Sequence, residues 1–267
     1  MGVYANIKTS RNSNDLPAFC REIIKALEKQ MQQIHEFITK ISKIIDETPS
    51  VKVFRVKLPS DADIEFYPGQ FFMVSFVNDQ EIKTSRAYSV ASSSLNKEYL
   101  EIALDKIGPF TSKLFQMKEG SPLKFKGPYG KFYFDEGIKN NLILIAGGTG
   151  ITPLIGIIRY CNDKRLGNKI KFIYSVRSTQ DIIYKDELKK MKNEYENFDY
   201  VVTVTRESND WQGRKGRIDL DLLRDNIEDN EGSIYFLCGP KEFVHSIIEM
   251  LETLGVKKEQ IKTDVWG

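Results

Sequence analysis

Three short segments carry residue types that can do chemistry. The first is Ala146-Gly147-Gly148-Thr149-Gly150-Ile151-Thr152-Pro153, set between the apolar runs Leu142–Ile145 and Leu154–Ile158. This order predicts a buried strand, a glycine-rich turn and a helix with a proline near its start. Glycines lack Cβ and tolerate positive φ, so a phosphate can approach such a turn closely. The helix start then offers free N–H groups and the positive end of its dipole. The spacing is neither G-x-G-x-x-G nor a P-loop with its lysine. The turn therefore reads as a nucleotide phosphate site or as a tight structural turn. The second segment is Arg86-Ala87-Tyr88-Ser89, inside Thr84–Ser92. It alternates as a strand does, with Tyr88 and Val90 on one face and Ala87 and Ser89 on the other. Taken alone, Arg86 is a solvated surface charge. The third is Cys238-Gly239-Pro240, which closes the apolar run Phe236-Leu237. A buried cysteine at a strand end is, by itself, small and inert.

Other marks stand around these three. Pro68-Gly69-Gln70-Phe71 precedes Arg86; Gly108-Pro109-Phe110-Thr111 and Gly127-Pro128-Tyr129-Gly130 follow it. In this order the set resembles the ferredoxin–NADP reductase family, over roughly Ile38 to Gly267. That family includes reductase components of oxygenases and flavin subunits of larger electron-transfer complexes. The resemblance implies a flavin-dependent oxidoreductase. Hydride would pass from NAD(P)H to bound FAD, and electrons to a separate acceptor such as a ferredoxin, a haem protein or an oxygenase component. A free-flavin or oxygenase-component reductase, and a non-catalytic electron-transfer subunit, are the alternatives.

Residue by residue, the resemblance places Arg86 on the flavin phosphates, Tyr88 against the isoalloxazine and Ser89 near its N5, with Ala87 between them. Arginine suits that task because its planar fork binds phosphate bidentately. The backbone of Ala103-Leu104-Asp105 would run beside the flavin. Gly108, Phe110 and Thr111 match a loop that opens a helix and holds the pyrophosphate; Thr111 can serve equally as a helix cap. That loop favours FAD over FMN. Gly147, Gly148, Thr149 and Gly150 would cradle the nicotinamide nucleotide, with Cys238, Gly239 and Pro240 beside its ring. Ser175, Arg177 and Arg206 fall where the family meets the adenosine ribose. An acidic residue there would favour NADH; the two arginines lean towards NADPH. Trp266 matches an aromatic that covers the flavin, offset by one residue, and a hydrophobic anchor is the other reading. Ser89 and Cys238 are the candidates nearest the hydride.

Two kinds of pattern position these residues. Between Phe37 and Gly137 lie short strands, Ile38–Ile45, Val51–Leu58, Phe71–Val77, Arg86–Ala91, Tyr99–Asp105 and Leu123–Lys126, separated by turn signals. They predict a small antiparallel barrel with a short helix over Phe110–Met117. Beyond Gly137, strands alternate with helices, which predicts a parallel sheet wrapped on both faces. The expected organisation is a mostly helical extension over 1–36, a flavin barrel over 37–137 and an NAD(P)-binding α/β domain over 138–267. In the extension, Leu16, Phe19, Ile23, Leu27, Met31 and Ile34 recur at spacings of three and four. They give one apolar stripe, which packs on its own domain or docks a partner or second copy.

Composition narrows the function classes. A net charge of +2 demands neither nucleic acid nor an anionic membrane as partner. No apolar run reaches the roughly 20 residues of a membrane span, and no signal-peptide core is evident, so the cytoplasm is the expected location. Cys20, Cys161 and Cys238 are too few and too scattered for a four-cysteine iron–sulfur cluster. Neither His35 nor His245 stands in a metal-binding pattern.

Overall fold

The computed structural model describes residues 32–60, 63–206 and 211–266. The helix expected from Asp15 lies outside the described residues except at its end, where Ile34, the last residue of the apolar stripe, is exposed and not helical. His35–Gly267 form one compact unit, built from two sheets.

The first sheet contains β1 (His35–Asp46), β2 (Val51–Lys57), β3 (Phe71–Phe76), β4 (Arg86–Ser89), β5 (Tyr99–Asp105) and β6 (Pro122–Tyr129). The order is β4-β3-β6-β1-β2-β5, with antiparallel pairing throughout. The turn at 47–50 forms because the Thr48 hydroxyl accepts the Val51 N–H at 3.0 Å. A bulge between Ile41 and Lys43 lets β1 serve both halves. The two end strands nearly meet: just past β4, Ala91 N–H donates to the Glu101 carbonyl of β5 at 2.7 Å. The sheet is thus a nearly closed barrel. Phe54, Phe72, Phe125, Leu100, Ile102 and Leu104 fill it, each such side chain contributing about 1.5–3 kcal/mol by burial. Strand β5 is buried on both faces. Leu100, Ile102 and Leu104 point into the barrel, whereas Ala103 packs in the core of the second sheet. Helix α1 (Gly108–Gln116) follows β5 and buries Phe110, Thr111 and Leu114.

The second sheet contains β7 (Asn141–Gly147), β8 (Ile170–Val176), β9 (Phe198–Val204), β10 (Arg214–Lys215), β11 (Ser233–Pro240) and β12 (Ile261–Trp266). All pairs are parallel, in the order β10-β9-β8-β7-β11-β12. Leu142 and Leu144 of β7 face α2 (Ile151–Asp163) and α3 (Lys185–Glu194). Ile143 and Ile145 face α4 (Leu220–Asn226) and α5 (Lys241–Thr253). Apolar residues on both faces are what a parallel sheet covered twice requires. The chain runs outward from β7 to β10, then returns to the other side of β7 as β11. The order reverses there, and the crevice beyond the carboxyl ends at such a point is where these sheets bind ligands. The sequence pattern did not reveal β10 or β12. Among the described residues, no helix is long and apolar enough to cross a membrane.

Candidate functional site

The barrel supplies one wall of a cleft of about 300 Å³. Register fixes it: Ser89 pairs with Phe71 and Tyr88 with Phe72. Ala87, Tyr88, Ser89, Ala103, Leu104, Asp105, Ile107 and Thr111 line the cleft from this side. The Tyr88 ring rests on Phe110, centroids 6.1 Å apart, and Phe110 rests on Phe76 at 4.6 Å. Phe110 therefore supports the wall from behind. The Thr111 hydroxyl is engaged within its own loop, 2.6 Å from both the N–H and the carbonyl of Ile107. Gly108 starts α1 at φ +74, open to solvent. Arg86 is exposed at the start of β4 and donates to the Ser85 carbonyl.

The parallel sheet supplies the other wall. Gly148–Gly150 form a 3-10 turn straight after β7, and α2 starts on the next residue without a side-chain cap. Of its first residues, Ile151 donates its N–H back to the Gly148 and Thr149 carbonyls and Pro153 has no N–H, so the helix start itself offers few free donors. A Cβ on Gly148, at φ +56, would meet nothing within 4 Å, so the space above the turn is open. Gly150 is the opposite case. A Cβ there would stand 2.6 Å from the carbonyl carbon of Cys238 and 2.9 Å from the Trp266 ring. The turn is seated on the end of β11, with the tryptophan against it. Gly239 also lacks room for a side chain, because the Phe243 ring would lie 2.7 Å from its Cβ.

Three polar groups from distant segments converge. Cys238 and Asp264 are register partners in β11 and β12. The Cys238 thiol points to Asp264 Oδ2 at 3.8 Å, and the Ser89 hydroxyl reaches the same oxygen at 3.5 Å. Burial pushes the Asp264 carboxyl above its usual range, against the hydrogen bonds from Cys238 and Ser89. Burial, then the Asp264 charge, pushes the Cys238 thiol well up. The thiol is therefore neutral near pH 7 and no nucleophile. Burial also raises the Tyr88 phenol to about 12. Asp105 is raised by burial, with Ser50 and Thr149 hydroxyls opposing. At the outer end, Arg206 N–H donates to the Arg177 carbonyl at 2.8 Å. The two arginines thus stand on adjacent strand ends, and Ser175 pairs with Gly147.

The structure brings together Tyr88, Ser89, Ala103–Asp105, Thr149, Cys238 and Trp266. Arg86, Gly108, Ser175, Arg177, Arg206 and Pro240 do not line the cleft. Asp264 is the residue that sequence reasoning missed. Its signal was faint: Lys262, Asp264 and Trp266 alternate, which is a strand period.

Two domain families match the chain. One, the oxidoreductase FAD-binding domain, covers residues 39–134; the other, the oxidoreductase NAD-binding domain, covers 144–248. The gamma subunit of sulfhydrogenase 1 in Pyrococcus furiosus is 33% identical over 223 residues, 81% of this chain and 74% of that protein. NADH-cytochrome b5 reductase 2 of Candida glabrata is 30% identical over 215 residues, 78% of this chain and 72% of its own length. A ferredoxin NADP+ reductase from Neisseria gonorrhoeae, solved with bound FAD and NADP, shares the fold. Its TM-score is 0.74 at 22% identity, covering 86% of this chain and 98% of that one.

Proposed function

The chain belongs to the ferredoxin–NADP reductase-like family of FAD- and NAD-binding oxidoreductases, and we propose that the cleft between its two sheets is where the two cofactors meet. The observation that carries this reading is the convergence of Ser89, from the barrel, with Cys238, from the parallel sheet, on one oxygen of Asp264. The FAD-binding domain takes in the whole of β1, so it starts at His35, two residues before the start read from the sequence, and runs to 137; residues 138–267 form the NAD(P)-binding domain.

The residues present fit both groups. A half-buried aromatic face, an exposed arginine and an apolar wall suit a flavin; a glycine turn leading into a helix suits a pyrophosphate. The flavin supplies the redox chemistry, taking a hydride from reduced nicotinamide and releasing electrons to an acceptor. The chain's own residues bind, orient and shield. Tyr88 offers the flat surface, and its phenol stays protonated. Arg86 and the Gly108 loop meet the flavin phosphates. Gly148, Thr149 and Gly150 hold the dinucleotide by backbone N–H groups. Ser89 presents a hydroxyl that reaches Asp264 Oδ2. Cys238, small and neutral, closes the far wall. Trp266 covers the turn and yields to the nicotinamide. No nucleophile is required, so the main contribution is positioning. Arg177 and Arg206 favour a 2′-phosphate and hence NADPH. The acceptor is a separate iron–sulfur or haem protein. Similarity to a sulfhydrogenase gamma subunit supports a second reading, in which the chain serves as the flavin subunit of a larger assembly.

The test is the visible spectrum of the purified protein, recorded anaerobically before and after NADPH and then NADH. Flavin bands that bleach support the proposal, and the faster nucleotide gives the preference. The double variant R86A/Y88A should lose its flavin. A colourless wild-type protein that cannot be reconstituted with FAD or FMN would refute it.

A further inference from the structure

We propose that Arg159 and Glu101 are positioning residues that set how the nucleotide turn faces the flavin strand, acting through helix α2. The proposal rests on the reading of the cleft as the meeting place of flavin and nicotinamide.

Helix α2 begins directly after the glycine turn, so any tilt of the helix moves the turn. One stripe of it is fastened to the barrel. Thr152, Gly156 and Arg159 recur at spacings of four and three, which places them on one face. The Thr152 hydroxyl lies 3.4 Å from the Ala103 carbonyl of β5, though nearer the Thr149 carbonyl at 2.8 Å. One turn on, Gly156 leaves no gap. A Cβ there would stand 2.7 Å from the Val90 carbonyl oxygen, 3.5 Å from that of Ala91 and 3.6 Å from that of Ser92. Those residues continue β4, the strand that carries Tyr88 and Ser89. Another turn on, Arg159 Nη1 donates to the Ala91 carbonyl at 2.7 Å and to Glu101 at 2.6 Å. Its Nε and Nη2 grip Glu187 of α3 bidentately, both at 2.7 Å.

Glu101 is the centre of this cluster. It is 1% exposed, on β5, two residues before Ala103. Besides Arg159, it accepts from Arg55 Nε at 2.7 Å and from the Tyr184 hydroxyl at 3.0 Å. Its own N–H donates to the Ser92 hydroxyl at 3.1 Å. The Arg159 guanidinium lies over the Tyr184 ring, 4.7 Å from its centroid. Burial opposes the Glu101 charge, and the two guanidinium groups outweigh it, so the carboxyl titrates below its usual range. A buried ion pair is weak evidence for stability, because apolar side chains of equal volume hold a core as well. A planar fork bonded to three groups fixes something else, the angle and distance between the groups it joins.

The lever is short. Gly150 lies six residues from Gly156, about 9 Å along the helix axis. A tilt of about 5° around Gly156 displaces the turn by roughly 0.8 Å, and a misplacement near 1 Å can cost about 100-fold in rate. The pair touches neither cofactor site, so flavin binding is spared.

The variants are Glu101→Gln and Arg159→Lys, which keep volume or charge and lose the fork, and Gly156→Ala, which pushes α2 off Val90 independently. Each is assayed for flavin content and then, by anaerobic stopped flow with NADPH and with NADH, for the limiting rate of flavin bleaching, the half-saturating concentration and the long-wavelength charge-transfer absorbance of the nicotinamide–flavin pair. The expected signature is full flavin content, half-saturation within about threefold of wild type, a limiting rate lowered roughly 10- to 100-fold and a weakened charge-transfer band. A purely structural role would lower flavin content and rate together. Wild-type limiting rates in flavin-replete Arg159→Lys and Gly156→Ala would overturn the proposal, as would parallel loss of flavin and rate. If Glu101→Gln does not fold, those two variants decide. A wild-type protein that neither nucleotide reduces would instead sink the underlying reading of the cleft.

Discussion

Replacing Gly150 by alanine tests the geometry of the nucleotide turn most sharply. The new methyl would stand 2.6 Å from the carbonyl carbon of Cys238 and 2.9 Å from the Trp266 ring, whereas ordinary contact begins at 3.4 Å. The Cys238 carbonyl oxygen lies closer still, so the turn and the strand end must part by more than about 1 Å, a distance that matters to a reaction set by approach. The strand cannot give way easily, because Cys238 is paired on both sides, with Ala146 of β7 and Asp264 of β12. Overpacking of this kind costs about 1–3 kcal/mol. For a chain of this size each kcal/mol lowers Tm by about 2–4 °C. The rate effect is larger: the limiting rate of flavin reduction by NAD(P)H should fall about 100-fold. Flavin content should not change, since Gly150 does not line the wall that carries Tyr88. Gly167→Ala is the control, because it is exposed, away from the turn, and no neighbour lies within 4 Å of the new methyl. It should keep the wild-type rate. Stopped-flow reduction of both variants decides the matter. A Gly150→Ala protein that is reduced at the wild-type rate, or a Gly167→Ala protein as slow as Gly150→Ala, would refute the account of the turn.

Two further outcomes follow from the site. Arg177→Ala combined with Arg206→Ala should raise KM for NADPH by about 10- to 100-fold, the worth of one charge-assisted contact of about 1.5–3 kcal/mol. KM for NADH should barely move, and an equal rise for both nucleotides would remove the arginines from 2′-phosphate recognition. Asp264→Asn should change the pH dependence of stability. Burial raises the folded pKa of Asp264, so the favourable contribution is present at acid pH and is lost as pH rises through that folded value. The asparagine variant should melt above wild type at pH 7, and the gap should close in acid. A lower Tm for the variant at pH 7 would contradict this.

Much of this was legible because local chemistry and tertiary role agree at the same residues. The β7 run is apolar on both faces because the sheet is covered twice, and the turn after it is glycine-rich because Cys238 and open space lie on its two sides. β12 escaped notice for the opposite reason. It is an edge strand whose residues are only partly buried, so no hydrophobic run marks it, and Asp264 carries no motif. β10 has two residues, too few for any period. The cluster at Glu101 was equally silent. A lone glutamate in an otherwise apolar strand shows its meaning only when Arg159, 58 positions later, arrives beside it. Thr111 was open to reading as a cap, as a phosphate hydroxyl or as both; its hydroxyl is bonded to Ile107 while the residue still lines the cleft.

The seat of α2 on the barrel also bears on how halves of such proteins can be exchanged. A chimera that keeps β1 to β6 of this chain and takes its parallel sheet from a relative inherits an obligation at two positions. The incoming helix must present a residue without a side chain where Gly156 meets the Val90 carbonyl. It must also bring a second cation to Glu101, which is 1% exposed; Arg55 of the barrel stays paired with it, so losing the helix cation costs less than the about 3–5 kcal/mol of a buried carboxylate left with no partner. Compatibility between donor and host is thus written in a handful of residues on one helix face and one strand, remote from every residue that selects a nucleotide.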